Sequence, residues 1–181
     1  ADLGAAVNGA AFAIFHNQGQ ACIDGSRLIL HETIAEEFLD RFVALARSIR
    51  LGNPLDPDTE MGPLTSPLHR DRVLSFVKVA LEEGAEILTG GCPPDDAPLA
   101  RGCYIEPTVV RAATPNDRIC TEEVFGPFAT VLTFADDDEA VGRSVGGVGD
   151  DRRVPAAPAP ALAGGIDAGR RDHRQPVPGA R

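Results

Sequence analysis

The sequence predicts an α/β fold, with helices covering a parallel or mixed sheet, in the first 141 of its 181 residues. Two observations predict it: short apolar runs of strand length alternate with longer segments of helical period, and the composition changes abruptly after Val141. Leu3, Val7, Ala10, Ala11, Ile14 and Phe15 recur at helical spacing, so residues 2–15 read as a helix that His16-Asn17-Gln18-Gly19 breaks. Arg27-Leu28-Ile29-Leu30 suits a buried strand, entered through the turn formers Gly25-Ser26. Thr33 and Glu36 have the spacing of a capping box, and Ile34, Phe38, Phe42, Leu45, Ala46 and Ile49 hold one helical face until Gly52. Turn formers are dense from Gly52 to Asp58, and the chain to Pro67 reads as extended loop. Ser66 and Pro67 supply an N-cap and a first-turn proline for a helix carrying Val73, Val77, Ala80 and Leu81, which Gly84 stops. Glu86–Thr89 reads as a strand, residues 92–102 as loop, and Thr108-Val109-Val110 and Ala129–Phe134 as two further strands, largely apolar as buried strands are.

From residue 142 to 181 the chain holds 8 Gly, 5 Pro, 7 Ala and 7 Arg, with no Phe, Tyr, Met, Glu or Lys. Such a segment has little to bury. Its seven arginines against four aspartates leave it at +3, so the first 141 residues carry −13 of the total −10. The whole chain has one lysine against sixteen arginines, the usage of a GC-rich gene. A frameshift, more than a disordered Pro/Ala/Gly-rich tail, accounts for codons that spell Gly, Ala, Pro and Arg in the wrong frame.

An acidic balance without a basic stripe argues against nucleic acid or an anionic bilayer as the main partner. No stretch approaches the ~18 apolar residues of a membrane helix, so the expected location is the cytoplasm. Ala1-Asp2-Leu3 is neither an initiator nor a signal pattern, and the chain is expected to begin within a longer polypeptide. Cys22, Cys92, Cys103 and Cys120 lie far apart without Cys-x-x-Cys or a nearby His pair, which favours free thiols over a disulfide framework or a zinc site. His16 and His69 lack ligand-spaced partners and read as solvated or core residues.

Cys22 follows Asn17-Gln18-Gly19-Gln20-Ala21, a polar turn between an apolar helix and a strand. Turns after rigid elements carry reactive groups, and a thiolate gains from nearby N–H dipoles. On position alone, however, a single cysteine is more often a small buried hydrophobe. The run Asn17 to Cys22 with Gly25-Ser26-Arg27 resembles the cysteine signature of the aldehyde dehydrogenase superfamily. Glu122-Glu123-Val124-Phe125-Gly126-Pro127 resembles the second hallmark of that family. Gly52-Asn53-Pro54 with Met61-Gly62-Pro63-Leu64, and Gly102-Cys103-Tyr104-Ile105-Glu106-Pro107-Thr108, resemble further family stretches in the same order.

The resemblance implies that residues 1–141 are part of an aldehyde dehydrogenase catalytic domain. It implies that the Cys22 thiolate attacks a small-molecule aldehyde to give a thiohemiacetal, that a hydride passes to NAD or NADP, and that water releases the acid from a thioester. It places Glu123 on the ribose beside the nicotinamide and Phe125 against that ring, and uses the Cys22 N–H to hold the oxyanion. Without it, Glu123 reads as a solvated acid beside Glu122, Phe125 as core, and Asn17 as a residue whose side-chain amide orders the turn. Asp24 departs from the family, which carries a small residue there. Asp24 would raise the thiol pKa if it faced Cys22, or else point to solvent or pair with Arg27. The family's general-base Glu, its oxyanion Asn and most of its dinucleotide domain would precede residue 1, so the 181-residue chain alone is expected to oxidise no aldehyde; steady turnover by the purified chain would contradict this. Full-length relatives form homo-oligomers through elements near their C-termini that this sequence does not contain. The competing reading is a non-catalytic fragment or interaction module that keeps the fold without the chemistry.

Overall fold

The structure, a computed structural model, describes residues 2–145. Their element order is α1 (Leu3–Phe15), β1 (Arg27–His31), α2 (Glu32–Ser48), α3 (Pro67–Glu82), β2 (Glu86–Thr89), α4 (Ala97–Ala100), β3 (Thr108–Arg111), α5 (Arg118–Thr121), β4 (Phe128–Phe134) and α6 (Asp137–Val145). A 3-10 turn over His16–Gly19 follows α1. The four strands form one mixed sheet in the order β1-β4-β3-β2. β1 and β3 both pair parallel to β4, whereas β2 runs antiparallel to β3.

Alternation along the central strands divides the core between the two faces of this sheet. Val109, Ala129 and Val131 pack with Val7, Ile14, Phe15, Phe38, Phe42 and their neighbours on α1 and α2. Val110, Phe128 and Leu132 point the other way, onto Val73, Phe76, Val77 and Ala80 of α3 and onto Ile119 and Cys120 of α5. A strand apolar on both faces is what a sheet covered on both sides requires. The predicted α/β class and the positions of all four strands agree with this architecture.

Local details differ from the sequence reading. The N-cap of α2 is His31, whose Nδ1 accepts from Thr33 N at 3.2 Å, because β1 runs into the helix without a loop. The buried face of α2 is Ala35, Phe38, Leu39, Phe42 and Ala46, which leaves Ile34 exposed. On α3 Phe76 is buried and Leu81 exposed, while Ser66 caps as predicted, its Oγ accepting from His69 N at 3.2 Å. The stretch 92–102 contains the short helix α4, and α6 runs across the compositional change at 141. The frameshift expectation for the segment up to Arg181 otherwise lies outside the described residues. Among the described residues no helix is long and apolar enough to cross a membrane.

Candidate functional site

Cys22 precedes Arg27, where β1 starts, by the same five residues that separate Glu123 from Phe128, where β4 starts. Because β1 and β4 are parallel neighbours with Arg27 opposite Thr130, the two lead-in segments reach the same end of the sheet. The bond from Thr130 N to Ser26 O, 2.8 Å, closes the sheet at that end. The topology therefore brings the two motifs together, although about a hundred residues separate them in sequence.

The segment before β1 is a series of tight turns. Asn17, Gln18 and Gly19 all take the left-handed conformation, with φ of 49°, 59° and 65°. The Asn17 side-chain amide donates to Gln20 O at 3.2 Å, the turn-ordering role read from the sequence. Ala21 N donates to Asp24 Oδ2 at 2.9 Å and Asp24 N to Ala21 O at 3.0 Å, which leaves Cys22 and Ile23 at the tip, both exposed. Gly25 N donates to Ala13 O at 2.9 Å and holds the turn against α1. Asp24 thus neither points to solvent alone nor pairs with Arg27. Its carboxylate braces the cysteine turn, and Arg27 Nη1 donates instead to Cys120 O at 3.1 Å. Among the described residues the Cys22 N–H has no acceptor.

The segment before β4 separates two adjacent acids. Arg118 Nε donates to Glu122 at 2.6 Å and holds that carboxyl below the usual range. Glu123 is exposed and has no hydrogen-bond or ion-pair partner among the described residues, so its carboxylate is free to accept from a ligand. It lines a cleft of about 210 Å3 with Ser26, Arg27, Thr121 and Glu122. Phe125 is half-buried at φ 53°. Its ring meets the His69 ring edge-on at 6.0 Å, and its carbonyl accepts from His69 Nε2 at 2.6 Å. Since a carbonyl only accepts, Nε2 carries the proton.

The other two motif stretches are bound to this pair. A Cβ on Gly19 would lie 2.0 Å from Gly126 O and 2.8 Å from Pro127 N, so the cysteine turn rests directly on the second motif. A Cβ on Gly62 would lie 3.1 Å from Pro54 Cγ and 3.4 Å from Gln18 Nε2. Gln20 Oε1 accepts from Thr65 N at 3.2 Å, and the Tyr104 hydroxyl donates to Gly52 O at 3.0 Å. Among the described residues the non-glycine positions with positive φ are Asn17, Gln18 and Phe125, all within the two principal motifs. Such backbone concentrates at functional sites.

Sequence reasoning missed His69 as part of this assembly and did not foresee the main-chain partners of Asp24 and Arg27. Each acts on a backbone atom, and a backbone acceptor leaves no mark in residue identity. The remaining cysteines stand apart. Cys120 is buried, and burial followed by the nearby Asp117 pushes its pKa up to about 11. The Cys92 thiol is raised too, first by burial and then by Glu106. Among the described residues no cluster of His, Cys, Asp and Glu could hold a metal ion.

An exposed cysteine thus lies on a strained turn that rests on the second motif segment at one end of the mixed sheet of an α/β protein. The chain belongs to the aldehyde dehydrogenase family, whose model matches residues 1–144. It is similar to betaine aldehyde dehydrogenase of Brucella ovis, 43% identical over 144 residues that make up 80% of this chain and 30% of the relative. Among solved structures it resembles PnpE from Pseudomonas sp. WBC-3 at 65% identity and a TM-score of 0.77, covering 80% of this chain and 29% of PnpE. It also resembles betaine aldehyde dehydrogenase from Staphylococcus aureus in complex with NAD+, at 39% identity and a TM-score of 0.78, covering 81% of this chain and 29% of that protein. The chain thus spans about 30% of the length of the curated relatives that it matches.

Proposed function

We propose that this chain carries the nucleophile and part of the cofactor site of an NAD- or NADP-dependent aldehyde dehydrogenase, which converts an aldehyde into a carboxylic acid. The observation that supports the reading is the seating of the cysteine turn on the second motif through Gly19 and Gly126, with the strained residues confined to those two segments. On this reading Cys22 Sγ attacks the aldehyde carbon, and the carbonyl π electrons move onto oxygen. The Cys22 N–H meets the resulting oxyanion, a role that any residue's backbone could fill. Glu123 is unpaired and lines a cleft, which fits a carboxylate that accepts from both hydroxyls of a ribose. Phe125 packs beside the nicotinamide, whose chemistry when bound is to accept the two electrons of the oxidation.

Residues 1–141 are, in this proposal, one piece of a catalytic domain, and the general base and the rest of the dinucleotide site lie on segments that this sequence does not contain. In this proposal part of the 142–181 segment, beyond the residues 1–144 that match the family model, is translated out of frame by more than one shift, which the nucleotide sequence of the locus tests. The functional reading itself is tested by the order of thiol alkylation. At neutral pH iodoacetamide is expected to label Cys22 at least about tenfold faster than the other cysteines. Cys120 should be slowest, since a pKa of about 11 leaves it roughly a hundredfold less thiolate than an ordinary thiol. Uniformly slow labelling of all four would favour the non-catalytic module instead.

A further inference from the structure

His69 is the first side chain of α3 to face the motif segment, and its backbone is fixed before its ring is used. Ser66 Oγ accepts from its N–H, which locks the first turn of the helix. One helical turn on, Val73 is fully buried and lies under Gly126, where a Cβ would come within 2.7 Å of Val73 Cγ2. Residues i and i+4 share a face, so His69 and Val73 press on two consecutive residues, Phe125 and Gly126. The cysteine turn holds the same segment from another direction, through Gly19. Phe125 carries its ring in a left-handed backbone, which a non-glycine residue keeps only where its surroundings enforce it. The contact that reaches the strained peptide itself is the 2.6 Å bond from His69 Nε2 to Phe125 O.

We propose that His69 is a positioning residue: its Nε2–H holds the Phe125 carbonyl, keeps that residue left-handed, and so aims Phe125 and Glu123 at the dinucleotide. The half of this proposal that concerns the cofactor rests on the reading given under Proposed function. The ring contact at 6.0 Å is secondary, because an edge-on aromatic pair can form in many backbone states, whereas the hydrogen bond fixes one carbonyl direction.

The test uses the 181-residue chain, isotope-labelled for NMR, in wild-type form and as His69→Gln and His69→Phe. Glutamine places an amide nitrogen near the position of Nε2 and keeps the donor. Phenylalanine keeps the ring and loses the donor. Backbone shifts of Phe125 report the sign of φ, shifts across α3 report whether the variant is folded, and the Glu123 amide shift reports whether that residue follows Phe125. The expected result is a left-handed Phe125 in the wild type and His69→Gln. In His69→Phe, α3 should be intact, Phe125 should leave the left-handed region, and the Glu123 amide should shift with it. A His69→Phe chain that keeps Phe125 left-handed would overturn the proposal, whatever the cofactor reading. A Glu123 amide unmoved while Phe125 changes would overturn the aiming of Glu123. If His69→Phe does not fold, His69→Gln decides: loss of the left-handed Phe125 despite a retained donor would overturn the proposal, and its retention would support it.

Discussion

Replacing Gly19 by alanine is expected to destabilise the fold by at least about 3 kcal/mol and to separate the two halves of the site. Two penalties add. The residue sits at φ 65°, where a Cβ costs about 1–2 kcal/mol. The new methyl would also stand 2.0 Å from Gly126 O and 2.3 Å from its carbonyl carbon, and a backbone carbonyl cannot rotate aside as a side chain can. Overpacking of this kind adds about 1–3 kcal/mol. The nearest relief is to lift the cysteine turn off the second motif, so selective alkylation of Cys22 should be lost together with stability. Gly126→Ala is the control. Its methyl would meet Val73 Cγ2 at 2.7 Å, a buried side chain and not backbone, and no positive φ adds to the cost, so the loss should be the smaller of the two. Urea unfolding of both variants measures the difference. Equal midpoints would mean that Gly19 does not bear on Gly126.

The same contact shows what residue identities could and could not disclose. The strands were legible because each is a short apolar run between turn formers, and the covering of both faces was legible in the nearly unbroken apolar stretch from Ala129 to Leu132. Strand direction was not. β2 runs antiparallel to β3, and nothing in Glu86-Ile87-Leu88-Thr89 records the orientation of its neighbour. The face of α2 was legible only within one residue of rotation. Ala35 is buried and Ile34 is not, because the small side chain suits close packing and the helix begins directly from β1 at Glu32.

At the site, Cys22, Glu123 and Phe125 could be singled out because their motifs are dense in distinctive side chains. Their supports act on main-chain atoms: His69 on the Phe125 carbonyl, Arg27 on the Cys120 carbonyl, Asp24 on the Ala21 amide. Support of this kind depends on where the backbone runs and becomes visible only in three dimensions. The distinction between Glu122 and Glu123 has the same origin, since adjacency in sequence says nothing of which one Arg118 engages.

Phe42→Ala should have the largest effect of any core truncation, about 3–5 kcal/mol. The Phe42 ring is fully buried and stacks on Phe15 at 5.8 Å and on Phe38 at 5.7 Å, so one deletion removes two aromatic contacts as well as the buried area. Domains of this size are stable by about 5–15 kcal/mol, so the variant should lie near the limit of folding. The consequence reaches the site through α1. Phe15 is the last residue of that helix and the one before the His16–Gly19 turn, which leads directly to Cys22. A cavity at Phe42 frees Phe15 and thereby the base of the cysteine turn, so Cys22 should lose its labelling advantage at urea concentrations too low to unfold the sheet. Leu68→Ala provides the contrast, since that side chain, in the first turn of α3, is 82% exposed and its loss should change stability by no more than about 0.5 kcal/mol. Denaturation followed by circular dichroism, with Cys22 alkylation measured at each urea concentration, separates the two events. A Phe42→Ala chain in which reactivity and helix content fall together would show that the turn is held by the sheet and not by the packing of α1 on α2.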